Sequence, residues 1–395
     1  MSNDKNAQEL LKWGLSHSSS VTSTGGPSVE QISADIEAGR RPDLADPRLY
    51  DAIMGKSEAQ MMREELAVAL DTTLPLDSRC TALDNFELLI EQIDNANNMT
   101  GMKMWSPIIS LLSADEVEIQ TAAAWILGTA VQNNDKAQMA VLQFKPVAAL
   151  TDLLQSQNEQ VRAKAMYALS GLLKHNPAAM DQFDKLNGWK ALRSALVDPN
   201  IGLRRKTAFL INALLFQDPN SFNHIPSSNT NTTTSSATAL APVPTSTTSG
   251  SSNTPVAPLE QPPATQLTSI PHPNVTQALL SSSILLTLLS SLLPSNTPGI
   301  LTDLEPSGPN GDLDPRTDLD FAEKATSAIL TFTSKLPNNF DHTQLDKRFK
   351  DLFKALLQEL DGKPLDDADG AKSRWSELGI EQEAFTQFKN KVQAW

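Results

Sequence analysis

Apolar positions recur at steps of three and four through the middle of the chain, and three segments carry them in one register. Ile119, Val161 and Leu203 open the segments, and 42 positions separate each from the next. A small residue stands four further on (Ala123, Ala165, Thr207), and an aromatic holds the seventh place (Trp125, Tyr167, Phe209). A second apolar ridge runs through Leu127, Leu169 and Ile211 to Val131, Leu173 and Leu215. Such steps gather apolar side chains on one helical face, so three long helices of one design are predicted, their small residues admitting close neighbours. Between them, 144–154 and 186–196 predict shorter helices, each following a break, at Pro146 and at Gly188.

A weaker copy precedes these. Arg79, Ala82, Leu83, Phe86, Leu89 and Ile90 fall in phase with the segment from Val161 onward, about two periods upstream. A period in the low forties with two or three helices per unit is the armadillo/HEAT signature. The expected fold class is all-α, an armadillo/HEAT-like right-handed α-solenoid with a disordered insert. Residues 1–28 are expected to form a flexible arm with a short amphipathic helix. Residues 29–76 would be capping helices that hide the first apolar face, and 77–218 the armadillo repeats. The insert is placed at 219–272, where Ser, Thr, Asn and Pro dominate and too little apolar surface exists to offset the entropy of ordering. Helices resume over 273–395, with a loop at 294–315, and Ala325, Ile329 and Phe332 repeat the spacing of Ala165, Leu169 and Leu172. Two amide clusters, Asp94 to Asn98 and Gln132-Asn133-Asn134, read as polar loops ending long helices, because Asn tolerates left-handed backbone and caps readily.

Charge and chemistry narrow the function. The 395 residues carry a net charge of −14 with Lys and Arg scattered, which argues against a nucleic-acid surface built on a clustered basic field. The single cysteine, Cys80, rules out a disulfide frame and reads as a core residue. The longest apolar run, 284–293, is too short and too serine-rich for a bilayer span of about 20 residues. The polar N-terminus has no signal-peptide pattern, so a cytosolic or nuclear location is expected, with no membrane partner. The five histidines are isolated, and no phosphate-cradling Gly loop, G-x-S-x-G, H-E-x-x-H or Cys/His metal spacing occurs. The expectation is a monomer without catalysis, cofactor or metal, which works by binding on the extended surface of a solenoid.

Four stretches carry a family likeness: 84–98 (DNFELLIEQIDNANN), 127–134 (LGTAVQNN), 165–170 (AMYALS) and 10–15 (LLKWGL). They resemble the armadillo-type nucleotide exchange factors of the heat-shock protein 70 chaperones, the Fes-one and Hsp-binding-protein-one family. The resemblance is close over about 6–216 and thin beyond. It implies a cytosolic co-chaperone whose helical body grips the nucleotide-binding domain of a heat-shock protein 70 chaperone, speeds ADP release and so frees the client. Carried over by position, the chaperone-binding residues would be Asn95, Ala96, Asn97 and Asn98, then Gln132, Asn133 and Asn134, and the basic helix start Arg204, Arg205 and Lys206. The N-terminal segment, with Leu10, Leu11, Trp13 and Leu15, would be the arm that helps displace client.

An armadillo adaptor for extended peptides is the alternative. Peptide-binding armadillo families keep an aromatic at the seventh place and an Asn four residues later that holds the peptide backbone. The aromatics are here, but the Asn places are Thr129, Gly171 and Ala213, so the groove lacks its main hydrogen-bonding group.

Overall fold

The computed structural model describes residue 38 and residues 56–218, 272–302, 304, 313–336, 345–365 and 373–395. The arm residues Leu10, Leu11, Trp13 and Leu15 and residues 219–271 of the insert expected at 219–272 lie outside the described residues. The chain forms two compact units, 1–103 and 104–395. Their described parts hold seventeen α-helices.

In the first unit, α1 (Glu58–Leu70) starts on Ser57, whose hydroxyl accepts the Gln60 N–H, and packs on α2 (Leu76–Ile90) and α3 (Ile93–Gly101). Met62, Leu66, Leu83, Phe86, Ile90 and Met99 make the core. Buried Arg79 reaches back from the first turn of α2 to the Ala69 carbonyl at 3.0 Å. Cys80 is half-buried and not a core residue. The stretch from Asp94 to Asn98, expected as a loop, is the middle of α3. Burial of Ala96 and Met99, three residues apart, gives the segment an inner face. Asn95 is also buried, donating to the Leu89 carbonyl at 2.8 Å and to Glu58 Oε2 at 2.7 Å. These tertiary contacts override the loop preference of the amides.

The second unit repeats a three-helix motif. After α4 (Trp105–Leu111) comes the long α5 (Val117–Val131), then α6 (Asp135–Leu142), α7 (Pro146–Leu153), long α8 (Glu159–Leu173), α9 (Pro177–Lys185), α10 (Gly188–Leu196) and long α11 (Ile201–Gln217). Past the insert follow α12 (Val275–Ser281), α13 (Ile284–Ser291), long α14 (Leu319–Lys335), α15 (Lys347–Asp361), the single turn α16 (Arg374–Glu377) and α17 (Gln382–Gln393). The chain breaks between α16 and α17, where Gly379 takes a φ of 65° that suits glycine. The long helices lie side by side in the order α5, α8, α11, α14, with α17 against α14. Both predicted ridges are buried, from Ile119, Val161 and Leu203 through Val131, Leu173 and Leu215, and so are Ala325, Ile329 and Phe332 of α14.

The period is also written in the backbone. Asn133 and His175, 42 apart, take φ of 49° and 57°; Lys145 and Asn187, again 42 apart, both take 57°. Each turns the chain between helices of one motif. Asn134 and Asn176 then cap α6 and α9, their side chains accepting the N–H of Ala137 and Ala179 at 3.1 and 3.0 Å.

Each long helix is fixed at both ends. At the start, Gln120, Arg162 and Arg204 hold equivalent positions and donate to the carbonyl six residues back: Ala114 at 2.8 Å, Ser156 at 2.9 Å and Asp198 at 2.5 Å. Arg162 also clasps the Asp198 carboxylate at 2.6 and 3.0 Å. At the finish, the next repeat supplies the partner. Gln138 donates to Val131 O at 3.1 Å, Gln217 Oε1 accepts His175 N–H at 2.7 Å, Lys335 caps Asp218 O at 2.9 Å and Lys391 caps Leu336 O at 2.6 Å. Carbonyl ends of helices bear partial negative charge, so lysine suits the last two places.

Candidate functional site

The four long helices of the second unit leave one common face uncovered. Positions that repeat at 42 residues stand on it: Trp125 and Tyr167 are half-buried, and Phe209 is 50% exposed. Beside the aromatics runs a column of lysines in equivalent places, Lys164 on α8, Lys206 on α11 and Lys324 on α14. Lys164 Nζ sits 3.3 Å from the centroid of the Trp125 ring, and Lys324 pairs with Asp320. Lys206 is exposed and forms no ion pair among the described residues. Tyr167 lies on Gly128, where a Cβ would stand 2.3 Å from the ring; glycine is required for α5 and α8 to seat that tyrosine. The missing Asn ladder has a physical counterpart here. At Gly171 a Cβ would lie 2.4 Å from the Gln132 amide nitrogen, so the preceding repeat fills the place where a peptide-binding asparagine would begin.

The residues expected from sequence divide sharply by exposure. Arg204 is fully buried, with its guanidinium on Asp198 O and Val197 O at 2.5 and 3.1 Å. It cannot meet a partner, and its charge is explained by the carbonyls it caps. Arg205 is half-buried and forks onto Asp318 of α14, with Nε 2.9 Å from Oδ1. Burial alone would raise the Asp318 carboxyl, but hydrogen bonds from Arg205 and from the Phe321 N–H bring it below its ordinary value. Lys206 alone of the basic trio is open. In the amide turn, Asn134 is buried as the cap of α6, Gln132 is half-buried with its Nε2 3.4 Å from Tyr167 O, and Asn133 is exposed. In the first unit Asn95 and Ala96 face the interior, Asn97 is half-buried and Asn98 is exposed. Ala96 is therefore a packing residue, and its small size serves the core instead of a partner's approach.

Sequence reading missed the lysine column and the exposure of the phenylalanines on α11. Phe216, seven residues beyond Phe209 on the same face, is 68% exposed. The signal for the column was present, since Lys164 and Lys206 stand one period apart.

Two family models match the chain: nucleotide exchange factor Fes1 over residues 7–99, and the SIL1/FES1/HPBP1 C-terminal domain over 95–237. The Hsp70 nucleotide exchange factor FES1 of Mycosarcoma maydis is 68% identical over 396 residues, covering 100% of both chains. That of Cryptococcus neoformans var. neoformans is 39% identical over 205 residues, 49% of this chain and 54% of its own length. That of Kluyveromyces lactis is 37% identical over 202 residues, 49% of this chain and 70% of its own. This chain belongs to the Fes1 family of Hsp70 nucleotide exchange factors. Among solved structures, an engineered protein aligns with a TM-score of 0.52 at 12% identity, over 83% of this chain and 98% of its own. A second engineered protein aligns at 0.51 and 14% identity, over 88% of this chain and 61% of its own. Likeness at that identity speaks to the fold alone, which is of armadillo type by its three-helix, 42-residue motif.

Proposed function

We propose that this chain binds the nucleotide-binding domain of an Hsp70 chaperone through the uncovered face of its long helices, promotes ADP release and acts without catalysis of its own. The observation that carries the reading is the column of lysines and aromatics on that face, with Lys206 open and unpaired among the described residues, in a chain of net charge −14. A cation held clear of carboxylates in an acidic protein is placed to meet an acidic partner and steer its approach. Asn133 and Asn98, the exposed amides, would add polar contacts, and the arm around Leu10, Leu11, Trp13 and Leu15 would displace client.

The mechanism is a matter of linkage. A partner shifts an equilibrium only by binding one state better than another. An exchange factor that prefers the open, nucleotide-poor arrangement weakens ADP binding, and ADP weakens the factor's binding by the same ratio. The test is stopped-flow release of a fluorescent ADP from purified chaperone. Lys206→Glu is expected to slow association and flatten its salt dependence while the helical circular-dichroism signal stays unchanged. Release at the parental rate and salt dependence would remove Lys206 from the interface; a parental chain that does not accelerate release would remove the function.

A further inference from the structure

A cleft of about 370 Å³ opens between α11, α14 and α17, beyond the lysine column. Its lining mixes apolar side chains, Phe216, Leu330, Ile380 and Phe388, with polar ones such as Asn212 and Thr331. Phe216 is the most exposed large apolar side chain of the described residues, and Phe209 is 50% exposed two turns before it. Carboxylates of Glu323 and Glu381 stand at the cleft, both residues exposed.

One buried polar atom of the cleft stands without a partner among the described residues. Asn212 Oδ1 is buried and has no hydrogen-bond partner. Ser334 Oγ donates to Thr331 O at 2.8 Å. The cation in the cleft, Lys391, spends its three hydrogens on Thr333 O, Ser334 O and Leu336 O at 2.8, 3.3 and 2.6 Å. The cleft therefore offers an unsatisfied amide oxygen and two exposed carboxylates, Glu381 and Glu323, the latter 3.9 Å from Lys324 Nζ, while the hydrogens of Lys391 are taken. A buried acceptor without a donor is costly to leave so, and the group that satisfies it has to bring an N–H or O–H. Exposed Phe216 asks for an aliphatic or aromatic side chain, and the carboxylates ask for a cation.

We propose that this cleft binds an extended, basic and apolar stretch of another polypeptide. A main-chain N–H of the peptide donates to Asn212 Oδ1, a neighbouring apolar side chain packs on Phe216, and a flanking Lys or Arg meets Glu323 and Glu381. Acidic segments are disfavoured where they would meet the like charge of Glu323 and Glu381. This is a holding function for unfolded chain, separate from nucleotide exchange, and it places a second binding activity on the body of the protein.

The experiment needs no chaperone, so its outcome is independent of the exchange reading. A fluorescein-labelled nine-residue peptide with a central leucine pair between arginines is titrated with the full-length protein by fluorescence anisotropy, beside the same peptide with glutamates for arginines. Saturable binding of the first is expected, with the glutamate peptide weaker by about tenfold or more. Phe216→Ser is expected to weaken binding by about tenfold, and since that side chain is mostly exposed, the melting temperature should hold. Glu323→Gln with Glu381→Gln is expected to flatten the salt dependence. Asn212→Leu, which removes the orphan acceptor, should weaken binding without lowering stability. Equal affinity for both peptides, no saturable binding of the basic one, or parental affinity in the folded Phe216→Ser variant would each overturn the proposal.

Discussion

Lys164 and Trp125 join two consecutive repeats across their open face, the ammonium standing 3.3 Å from the indole centroid. Desolvated contacts of this kind reach about 2 kcal/mol and exposed ones about 0.5–1. Trp125 and Lys164 are half-buried, which places the pair between these limits. A double-mutant cycle with Lys164→Met and Trp125→Leu, read by urea denaturation, is expected to give a coupling of about 1 kcal/mol. Additive effects would mean that the two side chains are neighbours without energetic consequence.

Gly128 answers a different question, whether helix propensity or packing governs the contact of α5 with α8. Alanine is favoured over glycine by about 1 kcal/mol inside a helix. Here its Cβ would meet Tyr167 at 2.3 Å and the Ala168 backbone at 3.3 Å, and overpacking costs about 1–3 kcal/mol. Gly128→Ala is expected to lower the melting temperature, and adding Tyr167→Ala should recover part of the loss. A higher melting temperature in the single variant would show that the helices part easily.

Ala96→Arg is expected to damage the first unit directly. The site is 2% exposed on the inner side of α3, so a guanidinium forced into it must displace packed neighbours and lose its hydration. A loss of about 3 kcal/mol or more is expected, visible as an early transition in thermal circular dichroism. A parental melt would show that the α3 face opens to accommodate the side chain.

Asp318 ties pH to the union of α11 with α14. Its carboxyl is depressed in the folded state, so the stabilisation it gives is present above the unfolded value, about 4, and is lost as pH falls through the lower folded value. Asp318→Asn keeps a cap for the Phe321 N–H, since Asn also serves at that position, but loses the charge opposite Arg205. The variant is expected to be less stable at pH 7, by about 1 kcal/mol or less for a pair with a partly exposed arginine. The difference from parent should shrink below pH about 4. Denaturant midpoints measured from pH 7 to pH 2.5 check this; a gap that stays constant would assign the loss to shape and not to charge.

Much of the second unit was legible because its motif recurs. Three copies at one spacing predicted α5, α8 and α11 with their inner residues, and Pro146 and Gly188 marked the starts of α7 and α10. The short α6 and α9 escaped, since eight or nine residues hold barely two turns of pattern. The amides of α3 misled because local preference for turns yielded to Asn95 bonding inward and Ala96 packing. Arg204 misled for a related reason. Three adjacent basic residues look like a surface patch, yet Gln120 and Arg162 at the equivalent places already hinted at a side chain that turns back to the loop before its helix. A repeat, once found, predicts polar roles as well as apolar ones.

The bond from Asp218 to the Val275 N–H, at 2.8 Å, closes a gap of 57 positions, and Arg205 meets Asp318 across 113. Earlier repeats recognise each other across far less: 36 positions for Arg162 with Asp198, and 33 for Gln138 with Gly171. Closing a loop costs only about 0.6 kcal/mol more per doubling of its length, so the finished array hardly registers the difference. Speed of assembly does register it, because distant contacts form late. The array is thus expected to fold in two tempos. The helices up to α11 can zip from neighbour to neighbour, while α14 has to be found by diffusion across the whole intervening chain, so a nascent polypeptide would carry the bare flank of α11 until its far half has left the ribosome.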